Sequence, residues 1–320
     1  MVAERLRSYL RWFRYYTEPG RFTPNAVPSV NLETTNICNS KCVFCHYPIM
    51  ERKKEPMSME LFKKTVDQMA SSGADDISFC VTMGDPLLDP HLFERARYVN
   101  AMAKPRNLGF LTTLQWLHRW NLDEYLSLFK WVQISTSLAG PKSYQKFFGV
   151  DLYDKMIRNL ETLLVRNKEL GNPMQVSFSL KPIDETYENI IQHPDFIRIS
   201  KLTDINLSKL AHDSLTVVLD DWAGAVDLPE YLKARLGRLQ PRAFLPCRLL
   251  YQSLAVSSNG NVSPCTCRDY ESNSELIIGN LKQDGLMDLW NGEKLRTLRE
   301  NWSKNNQVPP TCKTCRYYRF

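Results

Sequence analysis

The chain has 320 residues, 43% of them hydrophobic and 24% charged, with a formal net charge of +6. These proportions fit one large or two modest globular domains around a buried core and exclude an intrinsically disordered chain. No run of 18 apolar residues predicts a membrane span, no apolar N-terminal segment predicts a secretory signal, and the basic excess is too small and dispersed to indicate nucleic acid.

Residues 1–30 intersperse Arg5, Arg7, Arg11 and Arg14 with Leu6, Leu10, Trp12 and Phe13. That pattern predicts a short basic amphipathic helix, ending at Pro19-Gly20 and packed on the main body. Strands are predicted at residues 29–36, 76–82, 108–113, 131–137 and 174–180. Helices are predicted at 59–72, 92–102, 122–129 and 152–170. The alternation predicts a parallel βαβ array, whose ligands gather at the C-terminal ends of the strands. Cys38, Gly84, Thr113 and Ser135 fall at or near such ends. Beyond residue 197 the pattern weakens, with short strands at 217–219, 253–256 and 262–263 and a helix at 287–298. A break near 220–245 separates a domain at 31–225 from a smaller one at 240–320.

Nine cysteines, Cys38, Cys42, Cys45, Cys80, Cys247, Cys265, Cys267, Cys312 and Cys315, form two groups with Cys80 between them. An odd, clustered set without a secretion signal argues against a disulfide framework and for metal ligation in a reducing, cytoplasmic compartment. Cys38, Cys42 and Cys45 have the spacing C-x3-C-x2-C. Three thiolates on one loop can ligate three irons of a [4Fe-4S] cube, leaving the fourth open to a small chelating ligand. Zinc with His46 as fourth ligand is the alternative. In the C-terminal quarter, Asn259-Gly260 predicts a hairpin that brings Cys265 toward Cys247, with Cys312 and Cys315 closing the set. Four thiolates fill every vertex of a cube, or a structural zinc site.

The first spacing, after a first strand and with Phe44 ahead of the third cysteine, resembles the radical S-adenosylmethionine (SAM) superfamily. The resemblance implies a partial (β/α)6 TIM-type barrel, an α/β fold, followed by a small α+β auxiliary-cluster domain. It also implies that SAM chelates the open iron and yields a 5′-deoxyadenosyl radical that abstracts hydrogen from the substrate. Met83-Gly84-Asp85-Pro86 resembles the family's GGEP motif, departing from it at Met83 and Asp85. Thr112-Thr113 and Ile134-Ser135-Thr136 resemble the strand segments lining the SAM pocket. Phe44, Gly84, Asp85, Thr113 and Ser135 are therefore expected around SAM. The pattern C-x12-G-x4-C followed by C-x2-C is similar to SPASM-type auxiliary domains. With the chain ending five residues after Cys315, it looks like the shorter twitch form with one further [4Fe-4S] cluster. The spacings resemble those of aminoglycoside-pathway dehydrogenases and epimerases.

The expected reaction follows from what is left over. Cys267 lies outside both ligand sets, and a free thiol is a good hydrogen-atom donor, so epimerisation of a sugar-like or aminocyclitol-like molecule is the leading expectation. The alternative is oxidation of a secondary alcohol, with the auxiliary cluster accepting an electron and Asp220, Asp221, Asp269 or Glu271 as base or hydroxyl-binding group. Arg248 and Arg268 flank presumed ligands and offset cluster charge. A reductant such as flavodoxin or ferredoxin is expected as partner. Peptide modification is a further alternative, lowered by the 37 residues before Cys38, too few for a peptide-recognition module.

Overall fold

Strict alternation in five short strands separates a greasy face from a wet one. The computed structural model describes residues 24–79, 83–181, 185–216, 219, 221–236, 246–266 and 268–318. The predicted N-terminal helix, Cys80, Asp220 and Cys267 lie outside them. Strands β1 (Ser29–Leu32), β2 (Asp76–Ser78), β3 (Asn107–Thr112), β4 (Trp131–Thr136) and β5 (Gln175–Leu180) are parallel neighbours in that order. Val30, Ile77, Leu108, Phe110, Val132, Ile134 and Phe178 face one side and are buried. The opposite side carries Asn31, Ser78, Gly109, Gln133, Ser135, Ser177 and Ser179, linked by cross-strand register and interrupted by Leu111 and Trp131. Leu111 is 37% exposed, so that face is open.

Helices α1 (Met59–Ser71), α2 (Leu92–Met102), α3 (Leu122–Leu128), α4 (Gly140–Phe148) and α5 (Tyr153–Glu169) bury their apolar stripes beside the sheet. The side chains of Ser58 and Asn121 cap α1 and α3 by accepting the N–H groups of Leu61 and Glu124. The α4 helix is absent from the sequence expectations, although Pro141 in its first turn and Gly149 just past its end, at φ 69°, mark both ends. Three further helices, α6 (Tyr187–Gln192), α7 (Pro194–Ser200) and α8 (Leu207–Thr216), follow β5 where no element is expected.

The C-terminal part extends the same sheet. Strand β6 (Ser253–Val256) pairs in parallel with β1, then β7 (Asn261–Ser263) and β8 (Gly279–Asn280) add antiparallel. The strand order is β5-β4-β3-β2-β1-β6-β7-β8. The expected Asn259-Gly260 hairpin is present, with Gly260 at φ 93°. The expected helix at 287–298 is two helices, α9 (Leu286–Asn291) and α10 (Glu293–Asn305). Gly292 between them has extended backbone (ψ 159°), which ends one helix and starts the other. Of the expected 217–219 strand, Leu219 makes an isolated parallel bridge with Leu236. The architecture is an α/β domain with a partial barrel-like sheet followed by a small α+β domain. No described helix is long and apolar enough to cross a membrane.

Candidate active site

The three-cysteine loop leaves β1 and is clamped on both flanks. Asn36 donates from its side chain to the Lys53 carbonyl (2.8 Å) and accepts from the Glu55 N–H (2.6 Å). The Lys41 and Val43 N–H groups donate to the carbonyls of Phe148 and Phe147 at the end of α4 (2.8 and 3.0 Å). Gly149 permits this approach, since a Cβ there would stand 2.5 Å from the Lys41 carbonyl oxygen. Behind the loop, the Gln115 amide donates to Tyr144 Oη (2.6 Å) and Ser40 Oγ (3.2 Å) and accepts from Asn39.

The loop's chemistry fits a cationic cluster. Burial pushes the Cys38 thiol up to about 12, with the negative charges of Asp85 and Cys45 adding to it. Cys42 is raised for the same reason, burial first and then Cys45 and Cys38. Cys45 is raised by burial, offset by the N–H groups of Tyr47 and His46. Three half-buried thiols that resist ionisation because they are drawn out of water and crowd one another form a donor set that positive irons would satisfy. Among the described residues no group of three or more His, Cys, Asp or Glu side chains forms a ready metal-ion site. His46, the alternative fourth ligand for zinc, is buried and stacks its ring on Tyr270 at 3.4 Å between centroids.

Gly84 and Asp85 hold this loop to the strand ends. At Gly84, φ is 93° and a Cβ would lie 2.2 Å from the Thr35 carbonyl oxygen, so only glycine lets the turn close on the loop's entry. The Asp85 N–H donates to the Ile37 carbonyl (2.9 Å). The Asp85 carboxylate is buried and accepts from Thr112 Oγ1, Thr113 N–H, Thr113 Oγ1 and Leu87 N–H at 2.8–3.1 Å. The carboxylate thereby braces Thr112 and Thr113. Burial raises its pKa against these four donors. Asp85→Asn is expected to cost about 2–3 kcal/mol, because the amide turns an N–H toward donors that then go unsatisfied. Urea denaturation checks this; unchanged stability with weakened SAM binding would return Asp85 to SAM. Ser135 is buried on the polar face opposite Ser179. Phe44 packs its ring on Phe147 (4.7 Å between centroids), and its carbonyl accepts the Trp222 indole N–H (2.7 Å).

Of the second cysteine set, Cys265 follows β7 by two residues, its N–H donating to Ser263 Oγ (3.0 Å), and Cys247 precedes β6, its carbonyl accepting the Leu250 N–H (3.1 Å). Cys312 and Cys315 share one turn, the Cys315 N–H donating to the Cys312 carbonyl (3.3 Å). Arg268 is hydrogen-bonded to the Cys315 thiol and its charge faces Cys312. Its guanidinium also lies over the rings of Tyr317 (5.1 Å) and Trp222 (5.6 Å). The expectation that Arg268 offsets thiolate charge therefore has a geometric basis.

Beside Cys312 and Cys315 lies a cavity of about 230 Å³, lined by Trp222, Arg268, Asp269, Tyr270, Glu271 and Thr314 among others. A larger groove of about 620 Å³, between α3 and α5, is lined by residues of the helix layer. Of the candidate carboxylates, Glu271 is committed to the N–H groups of Glu51 and Arg52 (3.0 Å each). Asp221 is committed to Arg316 Nε (2.9 Å) and the Gly224 N–H (3.1 Å). One Asp269 oxygen accepts from the N–H groups of Asn273 and Ser274 (3.2 Å each), while the other is buried with no hydrogen-bond partner among the described residues. Burial raises its pKa.

Two residues absent from the sequence expectations join the domains. Glu33, 1% exposed beyond β1, is bound two-pronged by Arg52 and accepts from the Ser258 N–H (3.0 Å). Arg52 Nε donates to the Tyr270 carbonyl (2.6 Å). Glu33 carries a weak signal, a charge at the strand end in step with Asn31. Arg52 carries none, because its partners lie 19 and 218 residues away.

The family model for the radical SAM superfamily matches residues 32–196, and that for SPASM, an iron-sulfur cluster-binding domain, matches residues 247–316. No curated protein sequence matches the chain. Among solved structures, BtrN in complex with AdoMet and 2-DOIA is 17% identical with a TM-score of 0.58, the match covering 87% of each chain. Streptococcus suis SuiB bound to precursor peptide SuiA is 14% identical with a TM-score of 0.60, covering 98% of this chain and 75% of SuiB. Native anSMEcpe with bound AdoMet is 14% identical with a TM-score of 0.54, covering 84% and 81%. These likenesses show the fold. They are about equally distant, so the narrower resemblance to aminoglycoside-pathway enzymes is one among several.

Proposed function

Because the chain belongs to the radical SAM superfamily, we propose that it oxidises a secondary alcohol on a polar small molecule. The observation that carries this reading is the open sheet face, where Asn31, Ser78, Gln133, Ser135, Ser177 and Ser179 offer hydrogen-bonding groups in cross-strand register. Such a surface matches a hydroxyl-rich ligand better than an apolar one. The likeness to a complex holding 2-DOIA supports the same class, and that to a complex holding a precursor peptide keeps peptides as the alternative.

Cys38, Cys42 and Cys45 are the residues that would hold the first [4Fe-4S] cluster. Cys247, Cys265, Cys312 and Cys315 would hold a second, suited to accepting one electron. When bound, cluster and SAM supply a 5′-deoxyadenosyl radical that removes a hydrogen atom from the substrate. The chain's own contributions are positional. Gly84 and Asp85 hold Thr112 and Thr113 against the cysteine loop. Ser135 offers a hydroxyl to SAM from the polar face. We assign Asp269 to receive the hydroxyl proton, since burial raises its pKa and one of its oxygens has no hydrogen-bond partner among the described residues. Arg268 holds positive charge beside Cys312 and Cys315.

Oxidation is preferred to the expected epimerisation because Asp269 offers a carboxylate for the hydroxyl proton. Epimerisation would need a hydrogen donor on the far face of the substrate, the role expected of Cys267. The test is anaerobic turnover in heavy water with SAM, a reductant and a polar metabolite extract, read by mass spectrometry. The expected product is two hydrogens lighter than its precursor and forms together with 5′-deoxyadenosine. An inverted product carrying solvent deuterium on carbon would instead establish epimerisation.

A further inference from the structure

We infer that Trp116, Arg119, Lys155 and Arg158 form the docking surface for an acidic one-electron carrier protein, the partner that reduces the first cluster. The inference rests on the reading of Cys38, Cys42 and Cys45 as an iron-sulfur site. The chain leaves β3 through Leu114, whose φ of 63° turns it sharply. Gln115, the next residue, is fully buried and hydrogen-bonded to Asn39, Ser40 and Tyr144. Asn39 and Ser40 are the residues that directly follow Cys38. Trp116 is half-buried at the surface. The indole therefore stands one residue from a hydrogen-bonded bridge into the cysteine loop.

Cations gather on this ring. The Arg119 guanidinium lies over it at 4.1 Å from the centroid and the Lys155 ammonium at 4.5 Å. Arg158 follows one turn further along α5. Arg119 and Arg158 are exposed and Lys155 is half-buried. Asn159 ties α5 to the same loop, its amide donating to the Leu114 carbonyl (2.8 Å) and lying 3.4 Å from His118 Nδ1. Burial lowers the pKa of His118, and Lys155, Arg119 and Arg158 add to this, so the three cations act on one place. Asp154, beside Lys155 in the first turn of α5, offsets part of the charge. The other carboxylates of this helix layer are engaged elsewhere, Glu161 with Arg198 and both Asp123 and Glu169 with Arg166. A basic face around an aromatic ring steers an acidic protein surface into contact and gives it an apolar centre. The Gln115 bridge is what makes that protein an electron carrier: the face lies over the back of the loop whose cluster needs one electron for each SAM cleaved. The carrier loses that electron, the cluster gains it, and no proton or group is transferred.

The experiment uses the reconstituted holoprotein, flavodoxin as the acidic carrier and dithionite as a small reductant that needs no docking surface. Flavodoxin binding is measured by calorimetry, and SAM cleavage is followed with flavodoxin hydroquinone or with dithionite. The variant Arg119→Glu, Lys155→Glu is expected to lose about tenfold or more in flavodoxin affinity and in flavodoxin-driven cleavage at low salt. Its dithionite-driven cleavage and iron content should match wild type. Wild-type affinity should fall as ionic strength rises, and the affinity of Arg119→Gln, Lys155→Gln should fall much less. That neutral variant decides the matter if charge reversal disturbs the fold. Unchanged flavodoxin affinity in the folded variants overturns the inference, as does wild-type protein without salt-sensitive affinity for flavodoxin. A raised substrate KM under dithionite, with flavodoxin binding intact, would give the surface to an acidic substrate and overturn it too. Failure of the parent reading is seen separately, as wild-type protein that does not cleave SAM with dithionite.

Discussion

Replacing Cys38, Cys42 and Cys45 together by alanine is expected to abolish reductive SAM cleavage while leaving the chain folded. Burial holds these thiols against ionisation in the bare chain, so alanine removes no charge on which the fold depends. The loop keeps its shape through backbone bonds to Phe147 and Phe148 and the Asp85–Ile37 bond, none of which involves a thiol. Anaerobic reconstitution should load about eight irons on the wild type, about four on this variant, and about four on a Cys312→Ala, Cys315→Ala variant, which keeps the first site. The second variant should retain some SAM cleavage but lose substrate turnover, and its C-terminal domain should loosen, because ligation energy is partly folding energy. Stoichiometric zinc without iron in anaerobically purified wild type would sink the assignment of both sites.

The largest effect on stability is expected at Arg52. Arg52→Ala strands the Glu33 carboxylate, which is almost fully buried, with the Ser258 N–H as its one remaining donor among the described residues. Breaking a buried pair from one side costs about 3–5 kcal/mol, since a charge is left without its partner. That corresponds to a fall in melting temperature on the order of 10 °C. The same change removes the bond to the Tyr270 carbonyl and so loosens the junction between the two cysteine-bearing loops. The double variant Glu33→Gln, Arg52→Met should be more stable than Arg52→Ala alone, because no buried charge remains. Equal or greater loss in the double variant would show that the pair does not carry the junction.

Residue spacing makes the first cysteine site legible from sequence, because its three ligands lie within eight residues and the loop's order alone brings them together. The strand ends are legible for the same kind of reason: alternation of Val30, Ile77 and Ile134 with polar neighbours sets both the strands and their buried face. Helix α4 escapes notice because its apolar residues, Tyr144, Phe147 and Phe148, form a short stripe on only nine residues. Its importance appears only in its contact with Lys41 and Val43. Asp85 is legible in part. Its place in the motif points to SAM, while the packing that saturates its carboxylate comes from Thr112 and Thr113, 27 and 28 residues away, which no local pattern records.

By itself the sequence determined the chemistry: soft thiolates at spacings that suit iron-sulfur clusters, and an alternation that builds a parallel sheet with ligands at its C-terminal edge. These are local properties, carried by neighbours along the chain. The tertiary structure decided how the parts meet. Strand β6 joins β1 and makes one sheet of two domains. Glu33, Arg52 and Tyr270 tie the two parts to each other. Each of these pairings spans tens to hundreds of residues. No local periodicity records them, because they arise only when burial and strand register bring distant segments to one place.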